Sequence, residues 1–407
     1  MIRLRRITTS LAYRPEIDGI RFVAILSVII YHLAGDILRR SPAGYDTSLS
    51  SNWLFWFTQN LNFGVQLFFV LSGYVLALPF AEHFLGGQPP RNLKRYFVRR
   101  LTRLEPPYVL ALIFLFVLKL VAGRGTFTGL IPHLFASIFY LHNQIYAEPS
   151  SIDFVAWSLE IEVQFYILAP FLAAVFFFSG DKLYRRGALV LAIFLSAIVA
   201  HRGALIPRIN LSLIGELPYF LAGFLLAEFS ALEEKHGALA ASLGWDAACL
   251  LAIALITASI LAGGLISWFV CPLAVFAAYH AAFHSIVIKR FLSLVFISSV
   301  GGMCYSIYLL HDYVIAICGS YSESLGTSLS FAPRLGVQLL IMTPVLLLVC
   351  GTFFVLVERP CMQPDWPARL KCWVAGTLQK RGLTVATRST DFGVAAPVSS
   401  QPQREHK

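Results

Sequence analysis

Long apolar segments constrain this chain more than any other feature of its sequence. Ten of them lie near the roughly 20 residues that an α-helix needs to cross a bilayer. The sequence therefore predicts an all-α fold, a polytopic integral membrane helix bundle of about ten transmembrane helices. The predicted spans are residues 20–38, 53–80, 104–122, 155–179, 188–203, 211–229, 245–263, 266–287, 296–318 and 334–357.

The composition agrees with a membrane protein and excludes a soluble enzyme. Hydrophobic residues make up 57% of the chain, charged residues 13%, and the mean hydropathy is +0.70. With a cytoplasmic N-terminus, 24 of the 32 Lys and Arg residues fall in cytoplasmic segments and six in outer ones. We therefore expect a multi-pass protein of the cell (inner or plasma) membrane, with both termini cytoplasmic and no nucleic-acid partner. The seven cysteines stand singly, which excludes a disulfide framework or a CxxC metal site.

Three regions follow from this pattern. Residues 1–19 form a basic cytoplasmic N-terminus, residues 20–360 the membrane domain, and residues 361–407 a largely disordered cytoplasmic tail, because the chain there turns polar without an apolar period. The first apolar run is too long for a signal peptide and lacks a small-residue cleavage site, so we expect it to be retained. Within residues 123–154, the length and polar flanks favour a short interfacial or re-entrant helix on the outer face.

The first predicted span carries two ionisable side chains on one face. Arg21 and His32 are eleven residues apart, a spacing that returns to within about 20° of the same helix direction and separates the two by roughly 16 Å. Because such groups cost at least ~2.5 kcal/mol each in hydrocarbon, they indicate a chemical or transport site. The alternative is that Arg21 snorkels at the span end and His32 is a buried, hydrogen-bonded histidine.

A second polar group gathers at the predicted inner face. Arg100 and Arg103 are neighbours on one helical face, and Arg103 adjoins the apolar run directly. Guanidinium groups pair well with phosphates, so both are candidates for holding a cytoplasmic nucleotide-bearing donor. Anchoring by the positive-inside rule is the alternative. Ser72, beside Gly73, either permits close helix packing or exposes backbone to a ligand.

Acidic and imidazole groups recur in two further spans. Ser158 and Glu162 share a face of the fourth span, with Tyr166 one turn further on. A glutamate that faces the bundle interior is expensive unless it is partnered or functional. In the ninth span, His311 is either a satisfied core histidine or a catalytic one, and Asp312 either bonds a neighbouring span or supports the site.

Depth in the bilayer links these groups. Counted from the span ends at 1.5 Å per residue, His32, His311 and Glu162 reach similar depths. The arginines and Ser72 instead gather at the inner face. The sequence thus predicts a phosphate-attracting inner mouth and a deeper imidazole–carboxylate centre, which would let a cytoplasmic donor thread its reactive end outward.

Five ordered motifs carry a resemblance to a known family. They are Arg21-x10-His32 after Glu16-Ile-Asp18-Gly, Phe69-Val-Leu-Ser72-Gly-Tyr74, Arg100-x-x-Arg103-x-x-Pro106, Trp157-Ser-Leu-x-x-Glu162-x-Gln-Phe-Tyr166, and Tyr305-Ser-Ile-Tyr-Leu-x-His311. Together they resemble the acyltransferase family 3 membrane proteins, from about residue 14 to the Val357-Glu-Arg-Pro360 end of the tenth span. Members move acyl groups, often acetyl from acetyl-CoA, onto extracytoplasmic sugars or other hydroxyl acceptors.

The resemblance implies a membrane O-acyltransferase that modifies a polysaccharide. The donor would be cytoplasmic acyl-CoA, with acetyl-CoA expected from the family, and the acceptor a hydroxyl of an extracytoplasmic carbohydrate or glycolipid. By the same resemblance, Arg21 and His32 match the family's essential arginine–histidine pair, Arg100 and Arg103 its cytoplasmic arginine pair, and Glu162 its acidic position. Residues 20–360 would form the acyltransferase domain.

The residue types then suggest a mechanism. His32 accepts a proton from the acceptor hydroxyl while Glu162 orients or stabilises the imidazole, or His32 first takes the acyl group itself. No HExxH pattern is present, so no metal is predicted. The donor-binding set is Arg21, Arg100, Arg103 and Ser72, whose guanidinium groups would bind the CoA phosphates, and the supporting set is Asp18, Trp157, Ser158, Tyr166 and His311.

Some features stand apart from the family pattern or allow another class. Val163 occupies the position where a second acidic residue often follows Glu162, and Leu310 the position where a tryptophan usually precedes His311.

A proton-coupled secondary transporter would use the same His, Glu and Arg groups, although no internal repeat typical of such proteins is evident. A scaffold protein would explain the spans but not the Arg21 and His32 face. The sequence leaves open the acceptor, the acyl chain length, the oligomeric state and protein partners.

Overall fold

The computed structural model describes residues 6–7, 13–41, 52–322, 325, 329–363, 366–367 and 369, and within them it contains helices and no strand. The helices are α1 Pro15–Arg39, α2 Trp53–Gln59, α3 Gly64–Phe84, α4 Leu93–Val121, α5 Phe127–Ile138, α6 His142–Tyr146, α7 Trp157–Phe177, α8 Lys182–Gly203, α9 Pro207–Asn210, α10 Leu213–His236, α11 Leu243–Ala262, α12 Gly264–His284, α13 Val287–Leu292, α14 Val295–Gly302, α15 Cys304–Ser322, α16 Phe331–Phe353 and α17 Arg359–Cys361. Short 3₁₀ turns cover Asn60–Phe63 and Phe154–Ala156, and a π-helical turn covers Phe354–Glu358.

The predicted polytopic bundle is confirmed. In the described part of the chain, nine segments are helical, long and apolar enough to cross a membrane. The predicted ninth span, 296–318, is instead a pair of helices, α14 and α15, bent by 75° at their junction. Counting the bent pair as one span gives the ten that the sequence predicts.

The predicted short helix on the connection between α4 and α7 is also present. Helix α5 has 12 residues and α6 has five, too few for either to cross a bilayer. Their position at the outer membrane surface stays a prediction. The helices named above belong to one compact unit, which ends at Gln363. The predicted disordered tail 361–407 lies mostly outside the described residues.

One boundary differs from the prediction in a way that shapes the site. Helix α4 begins at Leu93, well before the predicted start of the span at residue 104. The Asn92 side chain caps it by accepting a hydrogen bond from the Arg95 backbone N–H at 3.0 Å. The polar turn that hydropathy assigned to a cytoplasmic segment is therefore helical, and Arg100 and Arg103 project from a rigid element.

Glycines allow the helices around the site to pack at backbone distance. A Cβ at Gly73 of α3 would collide with the Phe220 carbonyl oxygen of α10, and a Cβ at Gly223 with the Val70 carbonyl oxygen. At Gly301, just before the bend between α14 and α15, a Cβ would collide with the Asp18 carbonyl oxygen of α1. Such close approach is the use of small residues in membrane bundles. It holds α3 against α10 and α14 against α1, beside the place where the arginines gather.

Candidate active site

A cavity lies between α1, α3, α4, α7 and α15. Four arginines line it, together with the carboxylates Glu162 and Glu358 and the hydroxyl groups of Ser72, Ser158, Tyr166, Tyr305 and Tyr308. The arginines are Arg6, Arg21, Arg100 and Arg103. The structure thus brings the predicted donor-binding set, Arg21, Arg100, Arg103 and Ser72, into one cavity. What these residues bind stays a prediction at this point.

The arginines of the cavity are held in place but only partly neutralised. Arg21 donates a hydrogen bond to Asp18 in the next turn back along α1, and Arg6 lies 3.5 Å from the same carboxylate. Burial, with the neighbouring charges of Arg103 and Arg21, lowers the pKa of Arg6 well below its usual value. Four guanidinium groups that repel one another in a buried space favour an anion of several charges.

Arg100 and Arg103 show how the cavity presents its positive charge. The Arg100 guanidinium lies between the rings of Tyr96 and Tyr166, 5.6 Å and 5.4 Å from their centroids. The Nε of Arg103 is buried and has no hydrogen-bond partner among the described residues. A buried donor without a partner costs roughly 1–3 kcal/mol, which a bound acceptor would recover.

Glu162 belongs to this cavity. Its Oε1 accepts a hydrogen bond from the Ser72 hydroxyl at 2.6 Å and another from the Tyr166 hydroxyl. The carboxylate therefore ties α7 to α3 and holds the ring on which Arg100 rests. Further along the wall, Glu358 accepts hydrogen bonds from the Ser306 backbone at 3.0 Å and hydroxyl at 2.5 Å.

Two hydroxyl groups form the end of the cavity that is nearest the histidines. The Ser158 and Tyr308 hydroxyl groups are 2.6 Å apart and hydrogen-bonded. The Tyr308 ring also lies 5.7 Å from the ring of His311, which is outside the cavity lining. Tyr308 is therefore the side chain that connects the arginine cavity with the imidazole groups.

His32, His311 and Asp312 form a compact cluster beyond Tyr308. The two imidazole rings are 5.0 Å apart, edge to face, and His32 Nδ1 is 3.3 Å from the Asp312 carboxylate. His311 Nδ1 faces the carbonyl oxygens of Ile307 and Tyr308 at 3.1 Å and 2.8 Å, so it must donate. The His311 Nε2 is buried and has no partner among the described residues.

The pairing of His32 with Asp312 determines which imidazole nitrogen is available for chemistry. When Nδ1–H donates to the carboxylate, the neutral ring keeps its lone pair on Nε2, as a general base requires. The His32 and Asp312 side chains are 14% and 21% exposed, so neither is sealed from a substrate. The exposed ring of Phe154, in the 3₁₀ turn that precedes α7, lies 6.2 Å from that of His32.

The structure corrects the predicted position of Glu162. The sequence indicated that Glu162 lies beside His32, but its hydrogen bonds go to Ser72 and Tyr166, and Asp312 lies beside His32. The physical reason is that residue counting gives depth along a span and not the direction of a side chain around it. A catalytic role for Glu162 stays a prediction, as do the roles of the other site residues.

The supporting residues fall in different places. Ser158 and Tyr166 line the cavity, Asp18 pairs with two of its arginines, and His311 touches His32. Trp157 lies outside the cavity lining. Its carbonyl oxygen accepts a hydrogen bond from the Asn143 side chain at 2.8 Å, and its ring lies 6.4 Å from that of Phe69.

Sequence reasoning missed four residues of this region. Arg6 counted only as part of a basic terminus, and Glu358 as part of the last span's end, although both line the cavity. Tyr308 was only part of a motif. Asp153, just before the 3₁₀ turn that leads into α7, is buried. Burial, together with the charge of Asp312, raises the pKa of its carboxyl group well above the usual range. The one signal in the sequence is an Asp next to an apolar run.

Comparison with known proteins identifies an acyltransferase domain in this chain. A family model described as "Acyltransferase domain" matches residues 14–357. The chain is 29% identical over 175 residues to the peptidoglycan O-acetyltransferase OatA of Listeria monocytogenes. The aligned region covers 40% of this chain and 25% of OatA. It is 29% identical over 199 residues to the protein named "Putative peptidoglycan O-acetyltransferase YrhL" of Bacillus subtilis, covering 46% of this chain and 28% of YrhL.

The matched part spans only about a quarter of the length of these curated relatives. A similar match, 28% identical over 184 residues, is made to "Putative O-acetyltransferase SAS0844" of Staphylococcus aureus, covering 43% of this chain and 27% of the relative. No solved structure gives a significant match.

Proposed function

Because the chain belongs to the acyltransferase family 3 membrane proteins, whose domain covers residues 14–357, and is therefore an acyltransferase, we propose that it moves an acetyl group from acetyl-CoA to a hydroxyl group of a glycan. The donor binds in the arginine cavity from the cytoplasm. The acceptor approaches His32 from the opposite side of the membrane. Both termini are then cytoplasmic, as the distribution of Lys and Arg favours.

One observation carries this proposal. The cavity combines a cluster of four arginines with a far end, at Tyr308, that touches the imidazole cluster of His311 and His32. CoA has this shape, with phosphates at one end and a thioester at the end of a narrow arm. Arginine forks pair with phosphate oxygens, so the nucleotide end would rest at the arginines while the arm points toward Tyr308.

The residues then divide the chemistry between them. His32 Nε2 takes the proton of the acceptor hydroxyl as its oxygen attacks the thioester carbonyl. Asp312, on Nδ1, holds the ring in the required tautomer and stabilises the imidazolium. As the carbon–sulfur bond breaks, the CoA sulfur leaves as a thiolate and takes the proton from the imidazolium. The products are an ester on the acceptor and free CoA.

The acceptor class is supported by the relatives. Two of them are named for peptidoglycan O-acetylation, so cell-wall glycan is the first acceptor to examine, ahead of a glycolipid. An imidazole and an aspartate that are 14% and 21% exposed suit a bulky acceptor, since such a substrate needs only one hydroxyl to enter. The family match favours this enzyme over a transporter.

The proposal is tested by following the acetyl group. Purified full-length protein in nanodiscs is incubated with radiolabelled acetyl-CoA and soluble peptidoglycan fragments, and CoA release and ester label are measured together. We expect equal amounts of both, with label removed by mild base as esters require. Neither CoA release nor label with any glycan, under conditions where the protein elutes as a single folded species, would overturn the proposal.

The two carboxylates near the site are expected to act on different kinetic constants. Asp312→Asn should lower kcat by about 100-fold with KM for acetyl-CoA little changed, because it removes the group that orients the base. Glu162→Gln should instead raise KM for acetyl-CoA by about tenfold, because it weakens the hydrogen bonds that hold Ser72 and Tyr166 in the donor cavity. The measurement is the transfer assay at varied acetyl-CoA. The reverse split, with kcat sensitive to Glu162 alone, would restore the assignment made from the sequence.

A further inference from the structure

We propose that Glu233, His280 and His284 form a site for a divalent transition metal, with Zn²⁺ as the expected ion, and that the ion joins α10 to α12. None of the three residues lines the arginine cavity. The site is therefore a structural one, separate from acyl transfer. The sequence predicted no metal because no HExxH pattern is present, but here the third ligand comes from another helix.

The three side chains converge from the ends of two helices. His280 and His284 are one turn apart on the last turns of α12, and Glu233 is in the last turns of α10. His284 Nε2 is 2.9 Å from one carboxylate oxygen of Glu233, and His280 Nε2 is 3.7 Å from the other. All three ligand atoms lie within 4.8 Å of one another. Two ligands of a tetrahedral Zn²⁺ with bonds near 2.1 Å are about 3.4 Å apart, so small rotations complete the geometry.

The protonation of His284 supplies the physical reason for a cation. Its Nδ1 faces the His280 carbonyl oxygen at 2.8 Å and so must donate. In the neutral ring, Nε2 then carries a lone pair, which points at a carboxylate oxygen 2.9 Å away. Two acceptors at that distance repel unless a positive charge, either a proton on Nε2 or a metal ion, lies between them. A backbone carbonyl on the remaining nitrogen is also the usual way in which a metal-binding histidine is oriented.

The arginines near Glu233 have other partners, since Arg14 feels the charge of Glu233 but donates its hydrogen bonds to Glu16 and Tyr74. In the described part of the chain, its ion pairs are with His280 and His284, and no Lys or Arg side chain lies within 4.0 Å of its carboxylate. The nearby Arg186 is already paired with Glu228 at 3.3 Å. The His280 Nδ1 is buried and unpartnered among the described residues. A proton on His284 would satisfy one of these contacts, whereas a metal ion would satisfy all three ligands at once.

Aromatic side chains enclose the cluster and leave one side accessible. The Trp245 ring lies 5.5 Å and 5.4 Å from the two imidazole rings, and the Phe229 ring lies 5.3 Å from that of His280. Glu233 also lines a separate groove. The apolar shell strengthens the ion–ligand interactions by lowering the local dielectric, and the groove provides a path for the ion and a position for a water ligand.

The ion would stabilise an element that supports the active site. Tyr279, beside His280, donates a hydrogen bond to the Leu67 carbonyl oxygen of α3 at 3.0 Å. Phe283, beside His284, lies 4.4 Å beneath the Arg14 guanidinium at the start of α1. Fixing α12 to α10 therefore also fixes contacts to the helices that carry Ser72 and Arg21.

The test is zinc binding by the full-length protein. Protein purified in detergent is stripped with a chelator, dialysed against Zn²⁺ and analysed for bound metal by mass spectrometry, and its thermal unfolding is followed with and without Zn²⁺. We expect about one Zn²⁺ per chain and a higher Tm with metal. His284→Gln and Glu233→Gln, which preserve size and polarity, should weaken Zn²⁺ binding by about 100-fold or more and abolish the Tm shift.

Two comparisons make the outcome decisive. His236→Gln changes the next histidine along α10, outside the trio, and should bind Zn²⁺ as the wild type does. Co²⁺ loaded in place of Zn²⁺ should give the visible absorption of tetrahedral nitrogen and oxygen coordination in the wild type and in His236→Gln. Wild-type protein that binds no Zn²⁺ after loading, or His284→Gln and Glu233→Gln proteins that bind it as tightly as the wild type, would overturn the proposal. Neither result depends on acyl transfer.

Discussion

Replacing His32 by glutamine is expected to lower kcat for acetyl transfer by about 10³-fold, since general base catalysis contributes about 10²–10⁴-fold. Glutamine keeps the size of the side chain and can still donate a hydrogen bond to Asp312, but it has no lone pair that can take the acceptor proton near neutral pH. The binding of acetyl-CoA should change little, because the arginine cavity does not include His32. The measurement is steady-state transfer with labelled acetyl-CoA, together with donor binding to the same protein.

His201→Gln is the matched control. His201 is a half-buried histidine of α8 whose ring lies 6.2 Å from Trp268, and the substitution should leave both constants unchanged. A His32→Gln protein that binds acetyl-CoA and still transfers acetyl at more than about a tenth of the wild-type rate would exclude His32 as the base. Acid-quenched single turnovers also separate direct transfer from an acyl-histidine intermediate, which would leave label on the wild-type protein before it reaches the acceptor.

Replacing Arg103 by alanine is expected to raise KM for acetyl-CoA by about 10- to 100-fold, because each hydrogen bond to a charged group contributes about 1.5–3 kcal/mol. Like that of Arg6, the Nε of Arg103 is buried without a partner among the described residues, so a bound phosphate would gain a hydrogen bond there. Arg103→Lys should recover part of the affinity, since it restores the charge but not the two-pronged donor. Donor affinity should also fall as salt increases, because part of it is electrostatic.

Arg99→Ala is the control for this second prediction. Arg99 is on the same helix, exposed and outside the cavity lining, so its loss removes a positive charge near the same end of α4 without removing a proposed ligand. Equal effects of Arg99→Ala and Arg103→Ala on KM would mean that α4 acts through membrane anchoring or through its general positive charge. That result would revive the positive-inside explanation for both arginines.

The two predictions separate the ends of one site. His32 variants should change kcat and leave donor binding intact, whereas Arg103 variants should do the reverse. A site in which donor binding and chemistry lie on different sides of Tyr308 requires this split. The Ser158 and Tyr308 hydroxyl groups, hydrogen-bonded at 2.6 Å, are the narrow point through which the thioester arm would pass.

The sequence alone determined the class of fold and most of the donor side. Transmembrane spans can be identified from the sequence because the cost of placing polar groups in hydrocarbon requires long apolar runs. The ten runs correspond to nine helices and one bent pair in the described residues. Arg21, Arg100 and Arg103 were identified because charges beside an apolar run are rare, and the structure places them in one cavity. The family resemblance rested on the same residues and is supported by the domain match.

The tertiary structure decided which side chains meet across helices. Depth follows from residue counts, so His32 and His311 were placed together correctly, but the direction of a side chain depends on how each helix is rotated and tilted against its neighbours. For that reason Glu162 was assigned to His32, whereas the structure pairs it with Ser72 and puts Asp312 beside the histidine.

Contacts between distant parts of the chain were equally unreadable from the sequence. Arg6 reaches the cavity from outside the first helix, and Glu233 meets the two histidines of α12 from another helix. No local pattern encodes such meetings, because they follow from the packing of whole helices. Hydropathy determines that a helix is in the bundle, and close contacts such as those of Gly73 and Gly301 determine which neighbours it has.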